Sequence, residues 1–202
     1  KTGGMGSIYK IRDRHLNKLC AMKELSFYRI NSKKEKEYFI KRFESEAMLL
    51  STLHHKNLPR VTDLFTINEF YYLIMDFIEG EDLDSIVQRK GSPGLPEKEV
   101  IKWGIEICDV LEYLHDRNPP VIYRDLKPAN LMLNNIDKRL FLIDFGIAYD
   151  TQEEGPDAPR TRIGTMGYMA PEQYVGKPSP QSDLYSLGAT LYHLLTGSIP
   201  VP

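Results

Sequence analysis

The chain has 202 residues, 42% of them hydrophobic and 27% charged, and a formal net charge of −2 at pH 7. That composition is ordinary for a globular protein and gives no electrostatic reason to expect a nucleic-acid partner. Two cysteines, Cys20 and Cys108, form neither a CxxC pair nor a disulfide framework, so a reducing, cytoplasmic setting fits best, and no apolar run reaches the ~20 residues of a bilayer span.

At the start, Lys1-Thr2-Gly3-Gly4-Met5-Gly6 leaves two readings open, a loose end or a phosphate-binding loop. Glycine serves any backbone that needs a positive φ or a close approach, so the stretch alone does not choose. Residues 7–11 and 19–25 alternate apolar and polar side chains and read as strands joined by a turn at 14–18. Phe39, Phe43, Ala47 and Leu50 recur at helical spacing across 34–53, with charges on the other faces. Residues 61–67 and 71–75 flank Asn68-Glu69 and predict a second hairpin. Residues 1–78 are therefore expected to form an antiparallel sheet with one helix.

Past a connection near 76–82 the pattern changes. Val100, Trp103, Ile107, Leu111 and Leu114 mark a long helix behind the turn signal Gly91-Ser92-Pro93-Gly94. Leu184, Leu187, Leu191, Leu194 and Leu195 mark another, with Ser182 or Asp183 as its N-cap and Gly197 past its end. Short strand-like pieces lie at 121–123, 131–133 and 140–143, and the polar, Pro/Gly-rich 150–160 reads as a mobile surface loop. Residues 79–202 are expected to be a second, mainly helical lobe, which makes the class α+β.

The densest chemistry is Tyr123-Arg124-Asp125-Leu126-Lys127-Pro128-Ala129-Asn130, where the proline is expected to forbid helix. Asp125 can accept a hydroxyl proton, Lys127 can meet a transferring phosphate, and Asn130 can hold a metal ion. A solvated turn accounts for one such residue, not for three of complementary function. In Leu142-Ile143-Asp144-Phe145-Gly146 an acidic residue ends an apolar strand, which suits a divalent cation but is also how any strand enters a turn. Lys23, in Ala21-Met22-Lys23, would read in isolation as an outward lysine of an edge strand. Glu44 and Glu46 compete as its partner, and Ala47 and Leu50 favour Glu46 by placing it beside the apolar stripe. The mixed-sign run Lys33-Lys34-Glu35-Lys36-Glu37 is a solvated helix face.

Taken in order, GGMGSIY, AMK, the helix glutamate, YRDLKPAN, DFG, GTMGYMAPEQ and SDLYSLG resemble the eukaryotic-type (Hanks-type) protein serine/threonine kinases, across residues 3–188. The wording GGMG, IDFGIA, YMAPEQ and DLYSLG is similar to the bacterial branch of that family. The resemblance implies a bilobal protein kinase-like fold with ATP and Mg2+ as cofactors. It implies transfer of the γ-phosphate to Ser or Thr of protein substrates, including the chain's own activation loop through self-association. By the same resemblance Gly3, Gly4 and Gly6 would close over the phosphates, with Ile8 above the adenine. Lys23 would hold the α- and β-phosphates, fixed by Glu46. Met75 would be the gatekeeper, the Asp76 carbonyl and Ile78 amide would meet the adenine edge, Ala21 and Met132 would sandwich the ring, and Asp82 would reach the ribose. Asp125 would be the base, Lys127 would steady the γ-phosphate, and Asn130 and Asp144 would bind Mg2+. Lys127 points to Ser/Thr acceptors, with Thr165 framing the acceptor site. Leu50, Val61, Tyr123 and Phe145 fall where the family stacks an apolar column anchored by Asp183.

Arg124 would receive a phosphate from the activation loop, 147–169, where Thr161 between Arg160 and Arg162 is preferred over Thr151 and Thr165. Tyr123 stands where the family more often has histidine and would fill the same column. Lys1 stands at the first patterned glycine, no strand precedes the loop, and Glu172 lacks the arginine that later helices of the family supply. Both ends are therefore expected to be truncated. The intact protein is expected to carry flanking regions, in this branch often a membrane span and a sensor domain, with no membrane contact from the segment itself.

Overall fold

A computed structural model of the chain describes residues 2–3, 6–25, 33–68, 70–144, 149–150 and 164–200. Two units follow one another, Lys1–Ile78 and Glu79–Pro202. The first contains β1 (Thr2–Gly3), β2 (Gly6–Asp13), β3 (Lys18–Leu25), α1 (Lys33–Thr52), β4 (Val61–Ile67) and β5 (Phe70–Asp76). Its strands form one antiparallel sheet in the order β1-β2-β3-β5-β4. The β2–β3 turn is set by Asp13, whose Oδ1 accepts from the amides of His15 (2.8 Å) and Leu16 (3.0 Å), and by Asn17 at φ 51°. A short polar side chain tolerates that left-handed backbone by bonding locally. On α1 the apolar stripe buries Phe43, Ala47 and Leu50, and Glu46 lies among them at 4% exposure. The Phe39 side chain lies outside the described residues.

At the N-terminal glycines Thr2 pairs with Ser7 and Gly3 with Gly6, so the first glycine of the loop itself lies in a two-residue strand. Two residues are too few for period-two alternation to register.

The second unit comprises β6 (Gly80–Asp82), α2 (Leu83–Lys90), α3 (Glu97–His115), β7 (Val121–Ile122), a 3₁₀ turn (Pro128–Asn130), β8 (Leu131–Asn134), β9 (Leu140–Leu142), β10 (Tyr149–Asp150), α4 (Pro171–Tyr174) and α5 (Pro180–Thr196). Strands β6, β8 and β9 make a small antiparallel sheet, and β7 pairs with β10, which draws Asp150 into a strand rather than the expected loop. Gly80 is obligatory here, because a Cβ would sit 2.1 Å from the Leu133 carbonyl oxygen. Asp82 then starts α2, its Oδ1 accepting from Ser85 N and Ser85 Oγ at 2.9 Å. Along α3, Val100, Trp103, Ile107, Leu111 and Leu114 are all at most 5% exposed, each worth about 1.5–3 kcal/mol of burial where fully apolar. Pro128 does not forbid helix as expected: it opens a single 3₁₀ turn, a first-turn position where its missing N–H costs nothing.

Helix α5 begins earlier than its leucines imply. Ser179 is the N-cap and Pro180 the first helical residue, while Ser182 reaches back to accept from Ser179 N at 3.0 Å. The cap is therefore neither Ser182 nor Asp183. Its buried face is largely polar, with Ser182, Asp183, Ser186, Thr190 and His193 beside Leu187 and Leu194, whereas Leu184 and Leu195 are exposed. These buried polar groups are bonded: Ser186 Oγ donates to the Ser182 carbonyl, Thr190 Oγ1 to the Leu126 carbonyl, and Ser182 Oγ to Glu172 Oε1. A serine thus meets the glutamate for which no arginine was found. Gly197, at φ 70°, ends the helix with its N–H on the His193 carbonyl.

His193 Nδ1 lies 2.6 Å from the Tyr168 hydroxyl, both residues being 5% exposed. Burial keeps the imidazole below its ordinary value, against the opposing pull of the Asp84 carboxylate, and pushes the Tyr168 phenol up to about 12. The folded state therefore favours neutral His193, while the unfolded chain protonates near pH 6.5. Below that pH the unfolded state binds more protons, so stability is expected to fall as pH drops through 6.5. In thermal unfolding between about pH 5 and 7.5, His193→Gln should lose that part of the slope; parallel profiles for wild type and variant would refute it.

Candidate active site

In the first unit, the β2–β3–β5 register places Ile8, Lys23 and Leu73 in one row, with Ala21 opposite Met75 in the next. Lys23 points from this face to α1, where its Nζ donates to Glu46 Oε1 at 3.1 Å, with side-chain exposures of 16% and 4%. A carboxylate so buried needs a cation, and the sheet supplies it. The contest between Glu44 and Glu46 is settled by that ion pair. Asp76 is held by the scaffold: Oδ1 accepts from Lys18 Nζ at 2.6 Å, Oδ2 from Arg60 N at 3.2 Å, and its N–H donates to the Arg60 carbonyl. Ile78 is buried, Met75 half-buried and Ile8 40% exposed. Gly3 and Gly6 face each other across the β1–β2 pair, and Gly4 lies outside the described residues.

In the second unit the chemistry gathers on the segment after β7. Asp183, fully buried on α5, accepts from the amides of Tyr123 and Arg124 at 2.8 Å and lies 2.9 Å from His115 Nε2. Arg124 takes φ 71°, a left-handed backbone that costs roughly 1–3 kcal/mol for a residue of this kind and persists only where neighbours enforce it. The turn brings Asp125 and Lys127 together, Nζ to Oδ2, at 2.7 Å. Thr165 completes the group: Lys127 Nζ donates to its Oγ1 at 2.6 Å, and Oγ1 donates to Asp125 Oδ1 at 2.7 Å. Asn130 Nδ2 donates to the Asp125 carbonyl (2.8 Å) and to Oδ2 (3.0 Å). Four residues singled out in the sequence, Asp125, Lys127, Asn130 and Thr165, thus form one bonded cluster.

Asp144 follows β9 at φ 55° with its side chain exposed. Ile143 N donates to the Asn130 carbonyl at 2.9 Å, which places the start of Asp144 beside Asn130. Tyr123, with no exposed surface, donates its hydroxyl to the Ile143 and Asp144 carbonyls. Burial first, then the carboxylates of Asp125, Asp144 and Asp183, raise that phenol well above its ordinary value, so it stays a proton donor. Asn130 spends its Nδ2 on Asp125. An amide oxygen and an exposed carboxylate are hard donors that fit Mg2+, which commonly takes one or two protein ligands and completes its shell with water and phosphate. Among the described residues no group of three or more His, Cys, Asp or Glu could hold a metal ion.

Asp82 and Met132 pair across β6 and β8, and Asp82 is already occupied as the α2 cap. Thr151, Thr161 and Phe145 lie outside the described residues. Sequence reasoning passed over Gln173 and His115. Gln173 carried only one signal, a polar residue directly after Ala170-Pro171-Glu172. Among the described residues no helix is long and apolar enough to cross a membrane.

Residues 2–202 match the family described as protein kinase domain. The chain is similar to a probable serine/threonine-protein kinase of Clostridium perfringens, with 34% identity over 98% of this chain and 28% of the relative. It is 35% identical to the serine/threonine-protein kinase PknF of Mycobacterium tuberculosis, over 98% of this chain and 42% of that protein. Against the serine/threonine-protein kinase PrkC of Bacillus subtilis the figures are 32%, 98% and 29%. The chain thus spans less than half the length of each of these relatives. Matched from residue 2 to residue 202, with the motif residues in bonded clusters, the chain belongs to the protein kinase domain family.

Proposed function

We propose that the chain is the catalytic domain of a protein serine/threonine kinase, which transfers the γ-phosphate of ATP to Ser or Thr of other proteins. The observation that carries this reading is the Thr165 hydroxyl, which donates to Asp125 Oδ1 while accepting from Lys127 Nζ. An acceptor hydroxyl from a substrate would make the same pair of contacts, giving its proton to the carboxylate as its oxygen attacks. Asp125 is kept oriented by Asn130 on its other oxygen, and Lys127 brings positive charge to the atoms between which the phosphoryl group moves.

Membership of the family supports the use of ATP and a divalent metal. ATP would supply the phosphoryl group and Mg2+ would neutralise charge on its oxygens. Asn130 and Asp144 would hold the metal. Lys23, fixed by Glu46, would hold the α- and β-phosphates under Gly3, Gly4 and Gly6. Met75, Asp76, Ile78, Ala21, Ile8, Met132 and Asp82 would frame the nucleoside. The names of the similar kinases support Ser/Thr acceptors. A second copy of the chain would be among the substrates, with Thr161, Thr151 and Thr165 as receiving residues. Cys20 and Cys108, both unpaired, support a reducing, cytoplasmic site of action for the domain.

The test is incubation of the full-length protein with Mg2+ and labelled ATP, followed by acid hydrolysis of labelled protein. Label on phosphoserine and phosphothreonine is the expected result. Nucleotide bound but never transferred would replace this reading with that of a nucleotide-binding scaffold.

A further inference from the structure

The carbonyl of Arg124 belongs to the same peptide plane as the N–H of Asp125. Whatever grips that oxygen therefore sets the plane, and with it the direction in which the Asp125 side chain leaves the backbone. Asp183 grips the preceding plane, through the Arg124 N–H at 2.8 Å. The Arg124 carbonyl is gripped from elsewhere: Gln173 Nε2, on α4, donates to it at 2.9 Å. The same side chain uses its other end as well, Oε1 accepting from Ala170 N at 3.1 Å. Gln173 is 3% exposed, and the backbone it stabilises is the left-handed one at Arg124. A Cβ at Gly164 would come within 3.3 Å of the same carbonyl, so the segment carrying Thr165 passes directly beside it. That segment is tied to Ala170 by a turn in which Tyr168 N and Met169 N donate to the Thr165 carbonyl.

We infer that Gln173 is a positioning residue for Asp125, one amide that sets the Asp125 peptide plane and ties it to the segment bearing Thr165. The inference rests on the kinase reading above. It follows from what the primary amide supplies at this position: a donor for Arg124 and an acceptor for Ala170 on one planar group. Gln173→Glu keeps the shape and the acceptor but opposes a carboxylate to the Arg124 carbonyl. Burial raises the pKa of such a carboxyl, and once protonated it donates to that carbonyl as the amide did.

Steady-state kinetics of full-length wild type, Gln173→Glu and Gln173→Met, each checked by thermal unfolding, test this between pH 6 and 8. Near pH 8, Gln173→Glu is expected to lose about 10- to 100-fold in kcat, with KM for ATP within about two-fold of wild type. Relative to wild type at each pH, that deficit should shrink toward pH 6, whereas the deficit of Gln173→Met should stay constant. Wild-type kcat for Gln173→Glu near pH 8, or a deficit as pH-independent as that of Gln173→Met, would overturn the inference. If Gln173→Glu does not fold, Gln173→Met decides alone: lowered kcat at unchanged KM supports the role, and wild-type kcat removes it. A wild type that transfers no phosphate removes the kinase reading and the inference with it, whereas active wild type with indifferent variants removes the inference alone.

Discussion

Asp125→Asn is expected to lower kcat for phosphoryl transfer by about 10³- to 10⁴-fold, equivalent to about 4–5.5 kcal/mol in the barrier, with little change in melting temperature. Both Asp125 oxygens work. Oδ1 receives a hydroxyl proton from Thr165, and Oδ2 receives Lys127 and Asn130. An amide at this position cannot take up a proton at neutral pH, and its NH2 faces either a hydroxyl or an ammonium that also needs to donate. Half of the cluster is then donor against donor. The side chain is 19% exposed, so water relieves the mismatch and the fold survives. Labelled phosphate on protein should be near background, with normal unfolding. A variant retaining half of wild-type transfer would remove Asp125 from the role of base.

The largest effect on stability is expected at Asp183→Ala, a loss of about 3–5 kcal/mol. Asp183 has no exposed surface and bonds Tyr123 N, Arg124 N and His115 Nε2. Its removal leaves two backbone amides buried without an acceptor, each costing about 1–3 kcal/mol, beside a small cavity. Against a total folding free energy of about 5–15 kcal/mol, that is a large share. Asp183→Asn keeps one acceptor oxygen and should fall between. Chemical denaturation measures both. A shift in Asp183→Ala below about 1 kcal/mol would mean that the catalytic segment does not depend on this anchor.

Much of this was legible because the chemistry is local in sequence or periodic. Asp125, Lys127 and Asn130 lie within one short turn, and the α3 leucines and valines repeat at helical spacing. Thr165 was reachable only through the family resemblance, since nothing in its own neighbourhood points back to Asp125. Polar burial was hardest to see. Asp183, Ser186, Thr190 and His193 line the inner face of α5, a face that hydrophobicity assigns to solvent until their partners are known. The N-cap was misplaced for the same reason, because Pro180 and Ser179 precede the first leucine and carry no periodicity. Strands of two or three residues, β1 and β6, are set by pairing with a partner and leave almost no trace in their own composition.

Trp103 is the one tryptophan of the chain, and it lies 5% exposed on α3 in the second unit. Within these 202 residues, intrinsic tryptophan fluorescence is therefore a reporter on one unit alone. Its emission should shift to the red when the helical core around α3 melts and take no direct account of the sheet of β1–β5. Circular dichroism sees both. Where the two probes give coincident transitions, the units unfold together; where they separate, the fluorescence midpoint belongs to the unit that carries Asp125. The Asp183→Ala loss should then appear first in the fluorescence.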